Sequence, residues 1–171
     1  MTSSVNSGVT DEFPVAPQRA LVDTGVIIRA LGDRPQDPSA ASCRDLWHVL
    51  LRHKTEILVA APSVAEMLRA EPKTTLPRTR NIEVVPFDQN AAYNLAEKLP
   101  LAVLKAEQQT TGLPLNYIKY DALIVACALR HRAEVLISID AAMLSLAASA
   151  GLRAYAPSHF DRLSALSESK A

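Results

Sequence analysis

Four acidic residues of this chain have a type and a position that could support catalysis: Asp23, Glu66, Asp121 and Asp140. Each of them follows a predicted strand or begins a predicted helix. In open α/β sheets, ligands bind in the crevice beyond the carboxyl ends of the strands. Because neighbouring parallel strands bring these ends to one edge, the sequence predicts that the four carboxylates converge in otherwise apolar surroundings.

The stretch from residue 117 to residue 140 contains two of these acids. Residues 122–129 are all apolar and include three alanines, which predicts a short helix that is buried on most sides. Residues 135–139 are rich in β-branched side chains and nearly all apolar, as is typical of a central strand in a parallel sheet. Asp121 therefore begins a buried helix, and Asp140 ends a buried strand.

Strands and helices alternate through the rest of the chain. Residues 20–22 lead into Asp23-Thr24-Gly25 and the apolar residues 26–28, which predicts a short buried strand whose carboxyl end meets a turn that contains Gly25. Further strands are predicted at residues 56–61, 82–85 and 152–155, and helices at about 39–53, from 63, after Asp88, from 101 and at 144–150. This alternation predicts an α/β domain with a mainly parallel sheet and right-handed crossovers.

Length and composition favour one domain. With 171 residues, 49% of them hydrophobic, the chain can bury a single substantial core. We predict that this domain covers residues 19–157, between a flexible N-terminal arm at 1–18 and a polar C-terminal tail at 158–171. The formal net charge is zero, so a nucleic-acid partner would have to be held by local Lys and Arg side chains.

The cysteines and the hydropathy of the chain favour a cytoplasmic protein. Cys43 and Cys127 lie in apolar helical stretches without metal-ligand spacing, so we expect reduced core thiols. No basic start is followed by an apolar run, and no stretch is long enough to span a bilayer. We therefore expect no membrane partner.

Each of the four acids also has a purely structural explanation. Ser63 and Glu66 match the spacing of a capping box. Asp23 and Asp140 could be ordinary N-caps, and Asp121 could favour the positive end of its helix dipole. Taken singly, neither explanation of any one acid excludes the other.

Taken together, the acids favour a metal site. Clustered carboxylates raise each other's pKa and oppose folding unless a cation lies among them. Ligation by oxygen alone selects a hard ion, Mg²⁺ or Mn²⁺. Zinc is disfavoured because ligand spacing is absent from the histidines of the chain: His48, His53, His131 and His159.

Four motifs occur in a defined order: LVDT at 21–24, SVAEM at 63–67, DALIVA at 121–126 and LISID at 136–140. Over residues 19–157 this order resembles PIN-domain ribonucleases, and most closely the VapC toxins of bacterial toxin–antitoxin pairs. The resemblance implies a PIN-like fold, in which a central, mainly parallel β-sheet is flanked by helices on both faces. It also implies a metal-dependent endoribonuclease that hydrolyses RNA phosphodiester bonds, a small antitoxin partner and a homodimer.

The resemblance further implies roles for individual residues. The catalytic acids would be Asp23, Glu66, Asp121 and Asp140. Three of them, Asp23, Asp121 and Asp140, would bind Mg²⁺ or Mn²⁺, and Thr24 and Ser138 would be supporting hydroxyls.

Several residues near the acids could recognise RNA or a second protein. The candidate cations for the RNA backbone are Arg29, Arg69, Lys73 and Lys119. Tyr120 could stack on a base or be buried at its helix start. Trp47 lies among leucines on the helix near 39–53, where it could serve a homodimer or belong to the core. For each cation, the alternative is a solvated surface charge.

Two other functions compete with the nuclease. A PIN-like module could bind RNA or protein without cutting, although four intact acids argue against it. An aspartyl phosphotransferase would typically carry a second Asp two residues after Asp23, but Gly25 occupies that position. A phospho-receiver domain would place a Lys beyond a late strand, where this chain has Asp140 and Tyr155.

Overall fold

The computed structural model describes residues 15–32, 36–70, 75–77, 79–161 and 163. Within them the strands are β1 (Arg19–Val22), β2 (Glu56–Ala60), β3 (Ile82–Val85), β4 (Val135–Ile137) and β5 (Arg153–Tyr155). The α-helices are α1 (Thr24–Leu31), α2 (Ala40–Arg52), α3 (Ala61–Ala70), α4 (Gln89–Lys98), α5 (Leu101–Thr111), α6 (Leu115–Arg130) and α7 (Ala141–Ser149). A 3₁₀ turn at Pro157–Phe160 follows β5.

The sheet is parallel throughout, with the strand order β3-β2-β1-β4-β5. Its centre is β1, in which Leu21 pairs with Leu58 of β2 and Leu136 of β4. The chain runs from β1 to β3 on one side and returns to β4 and β5 on the other. The strand order therefore reverses at β1, and ligands of such sheets bind at this reversal point.

Helices cover both faces of the sheet because successive strand residues point to opposite faces. Leu21 belongs to a buried cluster with residues of α4 to α7, whereas Ala20 and Val22 belong to a second cluster with residues of α1, α2 and α3. Every residue from Ala20 to Val22 is fully buried, as expected of a central parallel strand. The predicted fold class is confirmed.

Three predicted boundaries near the acids are wrong. Gly25, predicted in a turn, lies inside α1, in which Thr24 and Ile27 are buried three residues apart; an apolar run as short as residues 26–28 fits either a strand or a helix. The helix predicted at 122–129 begins earlier, at Leu115. The prediction missed its first two turns because they are partly exposed and less apolar. The strand after it ends at Ile137, and α7 begins at Ala141.

The predicted polar tail is also wrong at its start. Phe160 is 1% exposed and packs in the same buried cluster as α2, so the core extends beyond residue 157. Trp47 is buried in that cluster as well, which assigns it to the core and removes it as a dimer contact. Residues 1–14 of the predicted arm and residues 162 and 164–171 of the predicted tail lie outside the described residues.

Other local predictions are confirmed. Asp88 caps α4 by accepting a hydrogen bond from the Ala91 amide at 2.8 Å, and Pro100 separates α4 from α5. Cys43 and Cys127 are free thiols in the core, where burial raises the pKa of each to about 11. Among the described residues, no helix combines the length and hydropathy needed to cross a membrane.

Candidate active site

The carboxyl edge of the sheet opens into a cleft of about 510 Å³ beside β1 and β4. Four different elements bring one acid each to this cleft. Asp23 follows β1, Glu66 lies on α3, Asp121 lies on α6 and Asp140 follows β4. The structure thus brings together all four acids that the sequence singled out.

Asp23 is the most buried of the four, at 8% exposed. It precedes α1, but its side chain makes no cap hydrogen bond to the described residues. Instead, its Oδ2 accepts a hydrogen bond from the Ser138 hydroxyl at 3.0 Å, and Thr24 Oγ1 lies 3.5 Å from its Oδ1. Burial raises the pKa of Asp23 above its usual range, although hydrogen bonds from the Ser138 side chain and the Thr24 backbone oppose the shift. The N-cap explanation therefore does not apply to Asp23.

Asp140 is exposed and is a genuine N-cap. Its Oδ1 accepts hydrogen bonds from the amides of Ala142 at 2.8 Å and Met143 at 3.4 Å. In the described part of the chain, no hydrogen bond uses its Oδ2. Both explanations of Asp140 are therefore compatible, because one carboxylate oxygen caps α7 while the side chain still lines the cleft.

Ser138 connects these two acids. Its hydroxyl donates to Asp23 Oδ2 and accepts from the Asp140 amide, each at 3.0 Å. Ser138 is fully buried, so both hydrogen bonds are shielded from water. This serine therefore positions Asp23 relative to the start of α7.

Asp121 lies in the second turn of α6, too far from the helix start for the dipole explanation to hold. Burial is the largest cause of a pKa raised to about 7, and the negative charges of Asp140, Asp23 and Glu66 raise it further. At neutral pH this carboxyl is thus poised between its protonated and charged forms.

Glu66 is exposed at the cleft and belongs to no capping box. The helix already begins at Ala61, and the buried Ser63 Oγ has no partner among the described residues. Helix α3 is tied to α6 by Tyr120, whose hydroxyl donates a hydrogen bond to the Pro62 carbonyl. Tyr120 is partly buried and lines a separate groove between α4, α5 and α6, so of its two alternatives the buried one fits the structure better than stacking in the cleft.

The three predicted RNA-binding cations that the structure describes do not line the cleft. Arg29 is engaged with Asp37, whose Oδ2 is 2.6 Å from its Nε, and it donates to the Gly25 carbonyl at 3.1 Å. Lys119 borders the groove between α4, α5 and α6 and not the acidic cleft. Arg69 is exposed on the same helix as Glu66. Lys73 lies outside the described residues.

Two residues that the sequence interpretation missed line the cleft. Gly25 is one, since a Cβ there would lie 3.3 Å from Asp23 Oδ2 and 3.5 Å from Ile139 Cγ1. Tyr117 is the other. It precedes Asp121 by four residues, and residues at this spacing share one helix face. Had the helix been predicted to start before residue 117, this spacing could have identified Tyr117.

The oxygen donors of the cleft fit a hard divalent cation. In the parts of the chain that the structure describes, no three His, Cys, Asp or Glu side chains form a group that could hold a metal ion by themselves. Mg²⁺ usually keeps several waters and binds through one or two carboxylates. The arrangement therefore suits a partly hydrated ion better than one enclosed by protein ligands.

No family model matches the sequence, and no curated protein matches it either. Solved structures resemble the fold. The structure of FitAB bound to an IR36 DNA fragment contains a chain with 19% identity and a TM-score of 0.50, covering 81% of this chain and 94% of that one. The structure of VapBC2 from Rickettsia felis bound to a DNA fragment from their promoter contains one with 16% identity and a TM-score of 0.54, covering 81% and 98%. Strand order, cleft position and these likenesses agree with the order of the sequence motifs, and the chain therefore has the PIN-like fold.

Proposed function

We propose that the chain is a metal-dependent endoribonuclease that hydrolyses RNA phosphodiester bonds with Mg²⁺ or Mn²⁺. One observation carries the proposal: four carboxylates from four elements line a single cleft at the strand-order reversal, and no described Lys or Arg lines it with them. Such a group of like charges is stable only if protons or a cation offset the repulsion. A divalent cation in the cleft would relieve this repulsion, and it would also attract the phosphate of the substrate.

Each acid has a task in this proposal. Asp23, held by Ser138, and Asp140, held by the α7 amides, are the two preorganised ligands, because their orientations are set by hydrogen bonds. Asp121, on α6, adds its negative charge to those of Asp140, Asp23 and Glu66. Glu66 is exposed and orients the attacking water or binds the ion through water. When bound, a divalent ion supplies acidification of water and neutralisation of charge at the attacked phosphate.

The decisive experiment is incubation of purified protein with mixed RNA in Mg²⁺, in Mn²⁺ and in EDTA. We expect cleavage in either metal and none in EDTA. Asp23→Asn and Asp140→Asn should remain folded and be nearly inactive, since Asn retains the cap and hydrogen-bond geometry without the charge. Cleavage that persists in EDTA, or that is unchanged in both variants, would overturn the proposal.

We propose also that this nuclease is a VapC-like toxin that pairs with a small antitoxin and forms a homodimer. Support for the antitoxin comes from the two structures of the same fold, which are toxin–antitoxin complexes bound to DNA. The homodimer is proposed from the resemblance of the sequence motifs alone. The protein encoded by the neighbouring reading frame should co-purify with this chain and silence its activity. A monomeric mass by light scattering at tens of micromolar concentration, with no co-purifying partner, would count against this assembly.

A non-catalytic PIN-like module that binds RNA or protein is the second candidate. The observation that favours it is the lack of a closed three-ligand group among the described side chains. It predicts RNA binding that is equal in Mg²⁺ and EDTA, with intact RNA recovered after incubation. The metal comparison described above therefore separates the two candidates.

A further inference from the structure

An exposed tyrosine stands at the acidic cleft. Tyr117 lies in the first turn of α6, is 62% exposed and lines the cleft together with Asp121. Leu113, 36% exposed, lines the same wall just before the helix. The Tyr117 hydroxyl has no hydrogen-bond partner among the residues that the structure describes. An exposed aromatic ring without a structural partner is typical of a binding surface.

The other described tyrosines differ from Tyr117 in this respect. Tyr120 is partly buried and donates a hydrogen bond to the Pro62 carbonyl. Tyr155 packs edge-on against His159 and Phe160. Tyr93 is also 62% exposed, but it lies on α4, accepts a hydrogen bond from Gln89 at 2.8 Å, and lines neither the acidic cleft nor the groove between α4, α5 and α6. Tyr93 is therefore a control matched in residue type and exposure.

Helix geometry sets the distance between the ring and the acid. Tyr117 and Asp121 are one helical turn apart, about 6 Å along the axis of α6, and share one face. A base is joined to its own phosphate through a single sugar. A phosphate held near Asp121 would therefore bring an adjacent base within reach of the Tyr117 ring.

We propose that Tyr117 is the stacking platform for an unpaired base next to the cut phosphate, and that the substrate is therefore single-stranded at the cut. This inference rests on the proposed nuclease function. Inside a duplex, both faces of a base are covered by neighbouring bases, so the ring could not stack on it. Because the net charge is zero, attraction of the backbone is weak and stacking becomes a main source of affinity.

The first test compares Tyr117→Ala, Tyr117→Phe and Tyr93→Ala with the parent. Binding of labelled single-stranded RNA is measured in Mn²⁺ with each protein carrying Glu66→Gln, which removes the group proposed to orient the attacking water and leaves the three proposed metal ligands in place. Cleavage is measured in Mn²⁺ with Glu66 intact. Loss of the ring should weaken binding roughly 5- to 100-fold, as for other base–aromatic stacks. Tyr117→Phe and Tyr93→Ala should bind as the parent does. Thermal unfolding should be the same in all four proteins, because both tyrosines are exposed.

The second test asks whether the ring contacts a base. An abasic site is moved one nucleotide at a time along the bound RNA, and each RNA is titrated with the parent and with Tyr117→Ala. At one position the abasic site should weaken RNA binding by the parent by the same factor as the Tyr117→Ala change does. At that position it should not weaken RNA binding by the variant any further. That position should adjoin the cut. When a complementary strand is annealed over that position, the parent and Tyr117→Ala should bind the RNA equally tightly.

The outcomes separate the two proposals. A parent that cuts RNA while Tyr117→Ala binds and cuts like Tyr93→Ala overturns the stacking platform and leaves the nuclease standing. Equal cutting of the single-stranded and duplex forms by the parent also overturns it. A parent that binds but does not cut, with the abasic effect intact, overturns the nuclease alone. A parent that neither binds nor cuts RNA overturns both.

Discussion

The pKa values of acidic side chains are shifted in opposite directions at the two ends of the parallel sheet. At the amino end, Arg19 begins β1 and Glu56 begins β2, and the guanidinium contacts both carboxylate oxygens at 2.7 Å. The hydrogen bond from Arg19 holds the pKa of Glu56 below its usual range. At the carboxyl end, burial and neighbouring acids raise the pKa of Asp23 and Asp121.

The same contrast holds elsewhere in the described chain. Asp88 accepts hydrogen bonds from the Ala91 amide and from Arg130, which together lower its pKa. Hydrogen bonds from Ser39 are the largest cause of the lowered pKa of Asp37, and the nearby Arg29 guanidinium lowers it further. The chain has as many basic as acidic residues, so a shortage of cations does not explain the acidic cleft. The acids of the cleft therefore differ from these other acids in having no basic side chain beside them among the described residues that line the cleft, as a cation-binding site requires.

The largest expected effect is on catalysis and distinguishes the two ends of the sheet directly. Asp121→Asn should lower RNA cleavage in Mn²⁺ by about a hundredfold or more, because it removes part of the negative charge that would hold the divalent ion at the attacked phosphate. Glu56→Gln should leave cleavage at the parental level. Single-turnover cleavage of one RNA by both variants is the measurement. Equal loss in both variants would mean that the contrast between the sheet ends has no catalytic meaning.

The next largest effect is on the free energy of unfolding in the presence of metal. Mn²⁺ should stabilise the parent and Glu56→Gln alike, by about 2.7 kcal/mol at a hundredfold excess over Kd. Asp121→Asn should gain much less, because part of the attraction for the ion is lost. Urea unfolding with and without EDTA measures this difference. If metal stabilises none of the proteins, the cleft does not bind a divalent ion.

In the metal-free protein, the acids at the two ends of the sheet should make the free energy of unfolding depend on pH with opposite signs. The folded-state pKa of Asp121 is raised from 3.8 to about 7, so the native state holds a proton that the unfolded state releases, and stability falls as pH rises through this interval. Allowing for partial exposure to water, Asp121→Asn should be more stable than the parent by about 1–2 kcal/mol near pH 8 and by nearly nothing near pH 4.

The pKa of Glu56 is depressed, so its contribution is present above the unfolded-state pKa and is lost as pH falls through the folded-state pKa. In EDTA, Glu56→Gln should therefore be less stable than the parent near neutral pH, by less than about 1 kcal/mol for an ion pair of this exposure. Urea unfolding over a pH series measures both trends. An Asp121→Asn difference of the same sign as the Glu56→Gln difference would contradict the repulsion argument.

A further expected effect on stability concerns the cap function of Asp140. Asp140→Ala should lower stability by about 0.5–2 kcal/mol in EDTA, because the amides of Ala142 and Met143 lose their acceptor. Asp140→Asn keeps an acceptor oxygen and should be as stable as the parent or slightly more stable. Thermal unfolding of both variants in EDTA provides the comparison. Equal losses in the two variants would show that the charge itself stabilises the metal-free fold.

The sequence by itself determined the architecture and the identity of the four acids. Apolar runs such as residues 135–137 and the alternation of strands with helices predict a parallel sheet, because these periodicities are local properties of the chain. The Asp88 cap of α4 was likewise predictable, since the donor lies three residues from the acceptor. Boundaries were less secure: residues 26–28 and the first turns of α6 have apolar content that fits more than one structure.

Only the tertiary structure decided how each acid is used. Ser138 bonds Asp23 across 115 residues of sequence, and Arg130 bonds Asp88 across 42. No local pattern encodes such pairs. Which tyrosine reaches the cleft, Tyr117 or Tyr120, depends on how α6 is rotated against its neighbours. The physical reason is the same in each case: side-chain type and spacing are properties of the sequence, but direction, burial and charge environment arise from elements that meet only after folding.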